Sequence, residues 1–300
     1  MRMISTTVFS DGPGGGNPAP VFLDADTMTP EEMQKAAAEL GQEAVFVLKP
    51  GPEDRGIQEG CGVQKNCNVR LRYFVPDHEL SICAHDTIGA VTVLLQEGLL
   101  KGNSAVIGTG AGPVRVDWEQ DDKGTLVMLE QFLPEFRADA PAAEDLLRAL
   151  RIPAESLAVT PEVPAECAST SRFKLMVPVK DRATLDSLKP DLELLWSLCD
   201  ECGCSGFYVF ARDHEKADTC YARQFPCRSG YDEDPATGIA AAALGAYWVR
   251  HGLMKAEDGW NRLRVYQGHA MGRPSFLAAD VRLASGVIDG VRVCGYAERV

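Results

Sequence analysis

The chain repeats itself at about half its length. Arg72-Tyr-Phe-Val-Pro76 leads through Glu79-Leu-Ser-Ile-Cys83-Ala84-His85-Asp86 into an apolar run that stops at Gly98-Leu99. Arg223-Gln-Phe225-Pro226 leads through Asp234-Pro-Ala-Thr237-Gly238-Ile239 into an Ala-rich run that stops at Gly252-Leu253. Shifting the numbering by 154 lays one stop on the other and brings Cys83 onto Thr237, Ala84 onto Gly238 and His85 onto Ile239. Each half therefore predicts a strand ending in Pro, a turn, a helix N-terminus and a Gly stop. A looser pair is Glu43-Ala-Val-Phe-Val-Leu48 with Ser205-Gly-Phe-Tyr-Val-Phe210. A repeat this long implies two related domains rather than a solenoid. Around a pseudo-two-fold axis, both helix N-termini would face one shared cleft.

The remaining pattern fits that frame. Strands are expected over residues 1–10, 19–23, 43–48, 68–74, 104–107, 114–118 and 125–130. In the later half they are expected over 172–179, 207–211, 219–225, 261–267, 275–281 and 291–295. Thr29-Pro-Glu-Glu32 supplies an N-cap, a Pro at the first helical position and early acids. Further helices are expected over 143–150 and 191–198, and Pro134 to Pro141 reads as the crossover between halves. The two long apolar helices are apolar all round and must be buried. The expected class is α+β, each domain a mostly antiparallel sheet wrapped around one apolar helix. The domains are expected over 1–130 and 131–284, with a last strand at about 285–300 packing back on the first.

Composition narrows the partners. A net charge of −13 over 300 residues disfavours nucleic acid and anionic membranes. The N-terminus lacks a signal-peptide core, and no apolar run approaches the length of a membrane span. The expected location is the cytoplasm. Ten cysteines without a secretory signal read as reduced thiols. Cys199-Asp-Glu-Cys202-Gly-Cys204 suggests zinc, but no second Cys-x-x-Cys or His pair stands out, so it reads as thiols at a helix end. The glycines over 12–16 match neither a P-loop nor a dinucleotide fingerprint, so no nucleotide cofactor is indicated.

The repeat also carries the chemistry. A helix N-terminus presents unpaired N–H groups and a positive dipole end, which suits an anion. Asp234 stands at the mouth of one such terminus. Glu43 opens an apolar strand, where desolvation would raise its pKa toward that of a working base. His85 sits in the first turn of the earlier helix. Cys83 reads either as a small buried thiol or as a reactive one, and its repeat partner is Thr237, so a two-thiol mechanism is broken. Asn17 either shapes its turn or meets substrate.

These motifs resemble the PhzF-like isomerases, a branch of the diaminopimelate-epimerase fold. The likeness runs through Gly16-Asn17-Pro18-Ala19, Gln42-Glu43-Ala-Val-Phe-Val47, Arg72-x-Phe74-x-Pro76, Glu79-Leu with Cys83-Ala84-His85, Glu233-Asp234-Pro-Ala-Thr-Gly238, and Gln267-Gly268 with Met271-Gly-Arg-Pro-Ser275. The resemblance implies a homodimeric, cofactor-free and metal-free isomerase that moves a proton between carbons, and the expected substrate is a small carboxylated metabolite. Glu43 would be the general acid/base. His85 and Asp234 would assist and position substrate, which Asn17, Cys83, Ala84, Asp86, Thr237, Gly238 and Ile239 would contact. The family usually has Gly-His where this chain has Ala84-His85. It usually has Ser after Thr-Gly, where this chain has Ile239, whose side chain cannot replace a hydroxyl. Asp86 is a further departure that adds charge to the pocket. Two other readings stay open: a Cys83-based epimerase or dehydratase of an amino acid, and a metabolite-binding or interaction protein without turnover.

Overall fold

The computed structural model describes residues 2–54 and 66–300. Met1, placed in the first strand from sequence, lies outside the described residues. That strand forms as β1 (Arg2–Val8) and returns antiparallel as β2 (Asn17–Leu23). Thr29 then caps α1 (Pro30–Leu40). Its hydroxyl accepts from the Glu32 N–H at 3.3 Å, and the Glu32 carboxylate accepts from the Thr29 N–H at 2.8 Å. This reciprocal box fixes the start of the helix. The chain continues through β3 (Ala44–Leu48), β4 (Val69–Phe74), β5 (Glu79–Leu80), α2 (Ala84–Gln96), β6 (Ser104–Thr109), β7 (Gly112–Asp121) and β8 (Gly124–Gln131).

The second half opens with β9 (Glu135–Arg137), inside the segment expected to be a plain crossover. It continues with α3 (Ala143–Leu150), β10 (Glu166–Ser169), β11 (Lys174–Val179), α4 (Arg182–Ser187), α5 (Leu192–Cys202), β12 (Gly206–Arg212) and β13 (Thr219–Pro226). Then come α6 (Gly238–Arg250), β14 (Gly259–Gln267), β15 (Ser275–Ala284) and β16 (Val287–Gly295). The last strand, β17 (Ala297–Arg299), pairs antiparallel with β1.

The chain divides into two compact units. Unit 1 holds Met1–Ser10, Asn17–Glu130 and Cys294–Val300; unit 2 holds Asp11–Gly16 and Gln131–Val293. Their strand pairings follow one pattern. In unit 1, β1–β2 is antiparallel, β2–β3 parallel, β3–β4 antiparallel, β4–β6 parallel and β6–β7 antiparallel. In unit 2 the same alternation runs through β10–β11, β11–β12, β12–β13, β13–β14 and β14–β15. A parallel pair needs a crossover rather than a hairpin. Helices supply it each time: α1 and α2 in unit 1, α4 with α5 and then α6 in unit 2. The fold is α+β with two similar halves, each a largely antiparallel sheet packed around one apolar helix.

The central helices keep the register read from sequence. Both α2 and α6 are 13 residues long, and their N-caps are Cys83 and Thr237. Ala84–Leu94 is buried without a break, and so is Gly238–Trp248. Both stop by the same device. Gly98 and Gly252 take φ of 70° and 63°, and the next N–H reaches back to Leu94 O at 2.8 Å and to Trp248 O at 3.0 Å.

Glycine inside each helix lets it approach its sheet. A Cβ on Gly89 would lie 2.7 Å from Thr6 Oγ1, and one on Gly245 would lie 2.9 Å from the Ala279 Cβ on β15. Gly245→Ala is therefore expected to destabilise the protein by about 1–3 kcal/mol through overpacking, despite the better helix propensity of Ala. Urea unfolding checks this. An unchanged midpoint would show that the helix has room to spare.

Candidate active site

Within unit 1, the end of the β3 approach and the start of α2 gather four ionisable groups. Glu43 precedes β3, whose Ala44, Val45, Phe46 and Val47 are buried, so the strand is fixed by its apolar side chains. Arg72 on β4 grips Glu79 with two hydrogen bonds of 2.7 Å, and Gln34 Nε2 donates to the carbonyls of Val75 and Pro76 at 2.8 and 2.9 Å. These bonds hold the turn that delivers Cys83. Behind it, Thr87 donates to Cys83 O at 2.7 Å, and the Tyr73 hydroxyl sits 2.8 Å from Thr87 Oγ1.

The Cys83 thiol donates to Glu43 Oε2 at 3.0 Å and lies 3.2 Å from His85 Nδ1. His85 Nε2 stands 3.5 Å from both Glu43 Oε2 and Asp86 Oδ1. The Glu43 side chain keeps 12% of its surface exposed, that of His85 4% and that of Asp86 none. Glu43 is thus the carboxylate of this group with a path to solvent. Burial, and then the charges of Asp86 and Glu43, push the Cys83 thiol well above its ordinary pKa. It remains a proton donor to Glu43 and not a thiolate. His85 thus presents Nδ1 to the thiol and Nε2 to the two carboxylates. The four groups each offer one donor atom within 4.8 Å of the others, a spread that would accommodate a cation.

Asn17, at the start of β2, is buried in unit 1 and pairs with Val8. Ala84 is buried as the first residue of α2.

Unit 2 builds the corresponding helix start differently. Thr237 donates to Asp234 Oδ2 at 2.5 Å, so the carboxylate that sequence places at the mouth of α6 is held by the N-cap hydroxyl. Gln267, on β14, locks the same turn. Its Nε2 donates to Asp234 O at 2.7 Å and to Thr237 Oγ1 at 3.1 Å, and its Oε1 accepts from Thr237 N–H at 3.2 Å and Tyr208 O–H at 2.9 Å. Gly268 follows with φ of 79°, and a Cβ there would lie 2.2 Å from Arg273 O. This explains the Gln267-Gly268 step in the sequence motif. Gly238 and Ile239 are buried in the first turn, and Ile239 O accepts from Thr170. Glu233 is taken up by Arg223 at 2.9 and 2.7 Å.

Two groups beside Asp234 went unnoticed in the sequence. Lys174 on β11 is buried and donates to Ser205 O at 3.0 Å. Burial, with Arg172 adding to it and Asp234 opposing it, pushes its pKa down to about 7. Gln224 on β13 gives its backbone O to the Asp234 N–H at 3.1 Å. Among the described residues neither atom of its buried side-chain amide finds a partner. A buried amide with both ends unused is uncommon. Only the apolar stretch around Lys174 hinted at its low pKa, and no pattern singled out Gln224.

The model of the phenazine biosynthesis-like protein family (PhzC-PhzF) matches residues 6–300. The chain is 33% identical over 294 residues to YddE of Escherichia coli (strain K12), described as an uncharacterized isomerase, covering 96% of this chain and 93% of YddE. It is 28% identical over 297 residues to the trans-2,3-dihydro-3-hydroxyanthranilate isomerase of Pseudomonas aeruginosa, covering 98% and 95% of the two chains. The crystal structure of a PhzF-family phenazine biosynthesis protein from Bacillus anthracis superposes with a TM-score of 0.85 at 27% identity, covering 100% and 98% of the two chains. No helix among the described residues is long and apolar enough to cross a membrane. With the family match spanning nearly its whole length and its relatives named isomerases, the chain belongs to the phenazine biosynthesis-like family as a PhzF-like isomerase.

Proposed function

We propose that the protein moves a proton between carbons of a small carboxylated metabolite, with Glu43 as the general acid/base and no metal, nucleotide or flavin in the step. The observation that carries this reading is the Glu43 carboxylate, partly open to solvent, with the Cys83 thiol donating to it at 3.0 Å and His85 beside it. A carboxylate so held can take a proton from one carbon and return it to a neighbour on the same face of the substrate. His85 and Asp86 position it and tune its charge. The N–H groups at the start of α2 suit a substrate carboxylate or an enolate-like oxygen. In unit 2, Asp234 is assigned the assisting role, with Thr237 and Gln267 fixing its orientation. By family likeness the protein is assigned as a homodimer, and the cytoplasm is proposed as its location.

The Cys83-based alternative fits less well. A thiol pushed upward by burial and two carboxylates is a poor base and a poor nucleophile. The binding-protein alternative is opposed by relatives named as isomerases.

Ile239 occupies the first turn of α6, where the family's usual Ser would offer a hydroxyl. The substrate is accordingly proposed to differ from the dihydro-hydroxyanthranilate of the Pseudomonas enzymes while keeping a carboxylate. The test uses deuterium oxide. That compound and a panel of cyclic and amino-acid-derived carboxylates are incubated with the enzyme and followed by NMR. Deuterium entering at carbon in one of the panel, faster than in the dihydro-hydroxyanthranilate, is the expected result. Entry only into the latter would show that Ile239 does not redirect specificity, and bound ligand without exchange would favour the binding protein.

A further inference from the structure

Unit 2 holds a group of thiols that the isomerisation chemistry does not use. Cys202 ends α5, Gly203 turns the chain with φ of 62°, and Cys204 follows. The left-handed turn directs both flanking sulfurs toward β10, where Cys167 lies. Cys204 Sγ and Cys167 Sγ are 3.0 Å apart, and the three sulfurs all lie within 4.8 Å of one another. Their side chains are buried. The sequence spacing would have chosen Cys199 as the third member, but β10 supplies Cys167 instead.

Cation chemistry fits this group better than chance packing of thiols. Three sulfurs at about 2.3 Å from a tetrahedral zinc ion stand about 3.8 Å from one another. The Cys167–Cys204 pair stands closer than that and all three sulfurs lie within 4.8 Å of one another, so side-chain shifts of about an ångström complete the site. Charge balance points the same way. Arg137 on β9 is the cross-strand partner of Cys167, its Nη2 donates to Cys202 O at 2.7 Å, and its guanidinium stacks 3.8 Å from the Phe173 ring centre. Three thiolates carry three negative charges; a divalent cation cancels two, and this guanidinium, which Asp139 also meets at 3.5 Å, offsets part of the third. A monovalent cation would leave more of the thiolate charge buried and uncancelled, which is costly. Thiolates are soft ligands and select zinc-like ions over magnesium or calcium.

We infer that Cys167, Cys202 and Cys204 form a binding site for a divalent thiophilic cation of the zinc type, with Arg137 offsetting part of the thiolate charge. Binding releases three thiol protons to solvent and leaves the fourth coordination position to water or a small ligand. The site ties the end of α5 to β10 and lies outside the proton-transfer chemistry.

The test uses full-length protein, reduced and freed of metal. Zn(II) alone is titrated against a chromophoric chelator, and Co(II) serves as a spectroscopic probe. One equivalent of Zn(II) should bind, and the Co(II) form should show intense sulfur-to-cobalt charge transfer in the near ultraviolet. Cys202→Ser and Cys204→Ser should each weaken binding by at least about 100-fold, and Arg137→Gln by about 10–100-fold, the usual cost of losing an outer partner. Cys67→Ser, a half-buried thiol of unit 1, should change nothing. No uptake by the reduced wild type would overturn the inference, as would uptake unchanged in both ligand variants or a cobalt spectrum without sulfur bands. So would a Cys167–Cys204 disulfide whose reduction restores no metal binding. The wild-type spectrum decides the matter even if a variant fails to fold.

Discussion

Glu43→Gln is expected to lower turnover by about 10²–10⁴-fold or more while substrate binding survives, the range lost with a general acid/base. The substitution keeps the shape of the side chain. The Cys83 thiol can donate to the amide oxygen as it does to Glu43 Oε2. Helix α2 and strand β3 should be undisturbed, so circular dichroism and the unfolding midpoint should match the wild type. The loss belongs in kcat, with KM little changed, because the carboxylate matters in the transition state more than in the bound complex. Equal loss in binding would mean that Glu43 holds the substrate rather than moving its proton.

Asp280→Asn is expected to cost about 3 kcal/mol of stability, the low end of what breaking a buried ion pair removes. Asp280 on β15 is 2% exposed and lies opposite Arg262 on β14, which binds it at 2.6 and 2.9 Å; Arg292 adds a bond of 3.0 Å. Burial by itself raises the Asp280 pKa, but the Arg262 hydrogen bonds and the charges of both arginines outweigh it, and the net shift is downward. The low end applies because Arg262 keeps contact with solvent. A depressed folded pKa gives stability that is complete above the unfolded value of about 3.9 and lost as pH falls through the folded one. The gap between wild type and variant should therefore be full at neutral pH and close in strong acid. Denaturant melts at several pH values check this. A gap that stays constant into acid would mean that packing, not charge, accounts for the loss.

What was legible in the sequence is what local chemistry fixes. The two helices and their Gly stops were found at the right register because caps and apolar runs are local signals. The Thr29 cap was found for the same reason. Strand β10, Glu-Cys-Ala-Ser, was missed because all four residues are buried and no alternation marks it. Strand β9 was missed because three residues between prolines look like a linker. Helix α4 has only six residues, too few for a period to show. At the site, Glu43 and His85 stood out through their motifs. The thiol bond from Cys83 to Glu43 spans 40 positions, which no spacing rule foresees. The same holds for Cys167 beside Cys204, 37 positions apart, and for the cage that Gln267 forms around Asp234 and Thr237. These contacts are set by which strands become neighbours, and only the sheet order reveals that.

The central claim is that Glu43, not Cys83, carries the proton. The most direct measurement is deuterium entry from solvent into carbon of the substrate, compared between Glu43→Gln and Cys83→Ala in deuterium oxide. The proposed mechanism requires exchange to collapse in Glu43→Gln and to continue in Cys83→Ala at a rate within about tenfold of the wild type, since a thiol kept protonated by its surroundings only orients the carboxylate. Normal exchange in Glu43→Gln together with none in Cys83→Ala would contradict it and assign the chemistry to the thiol.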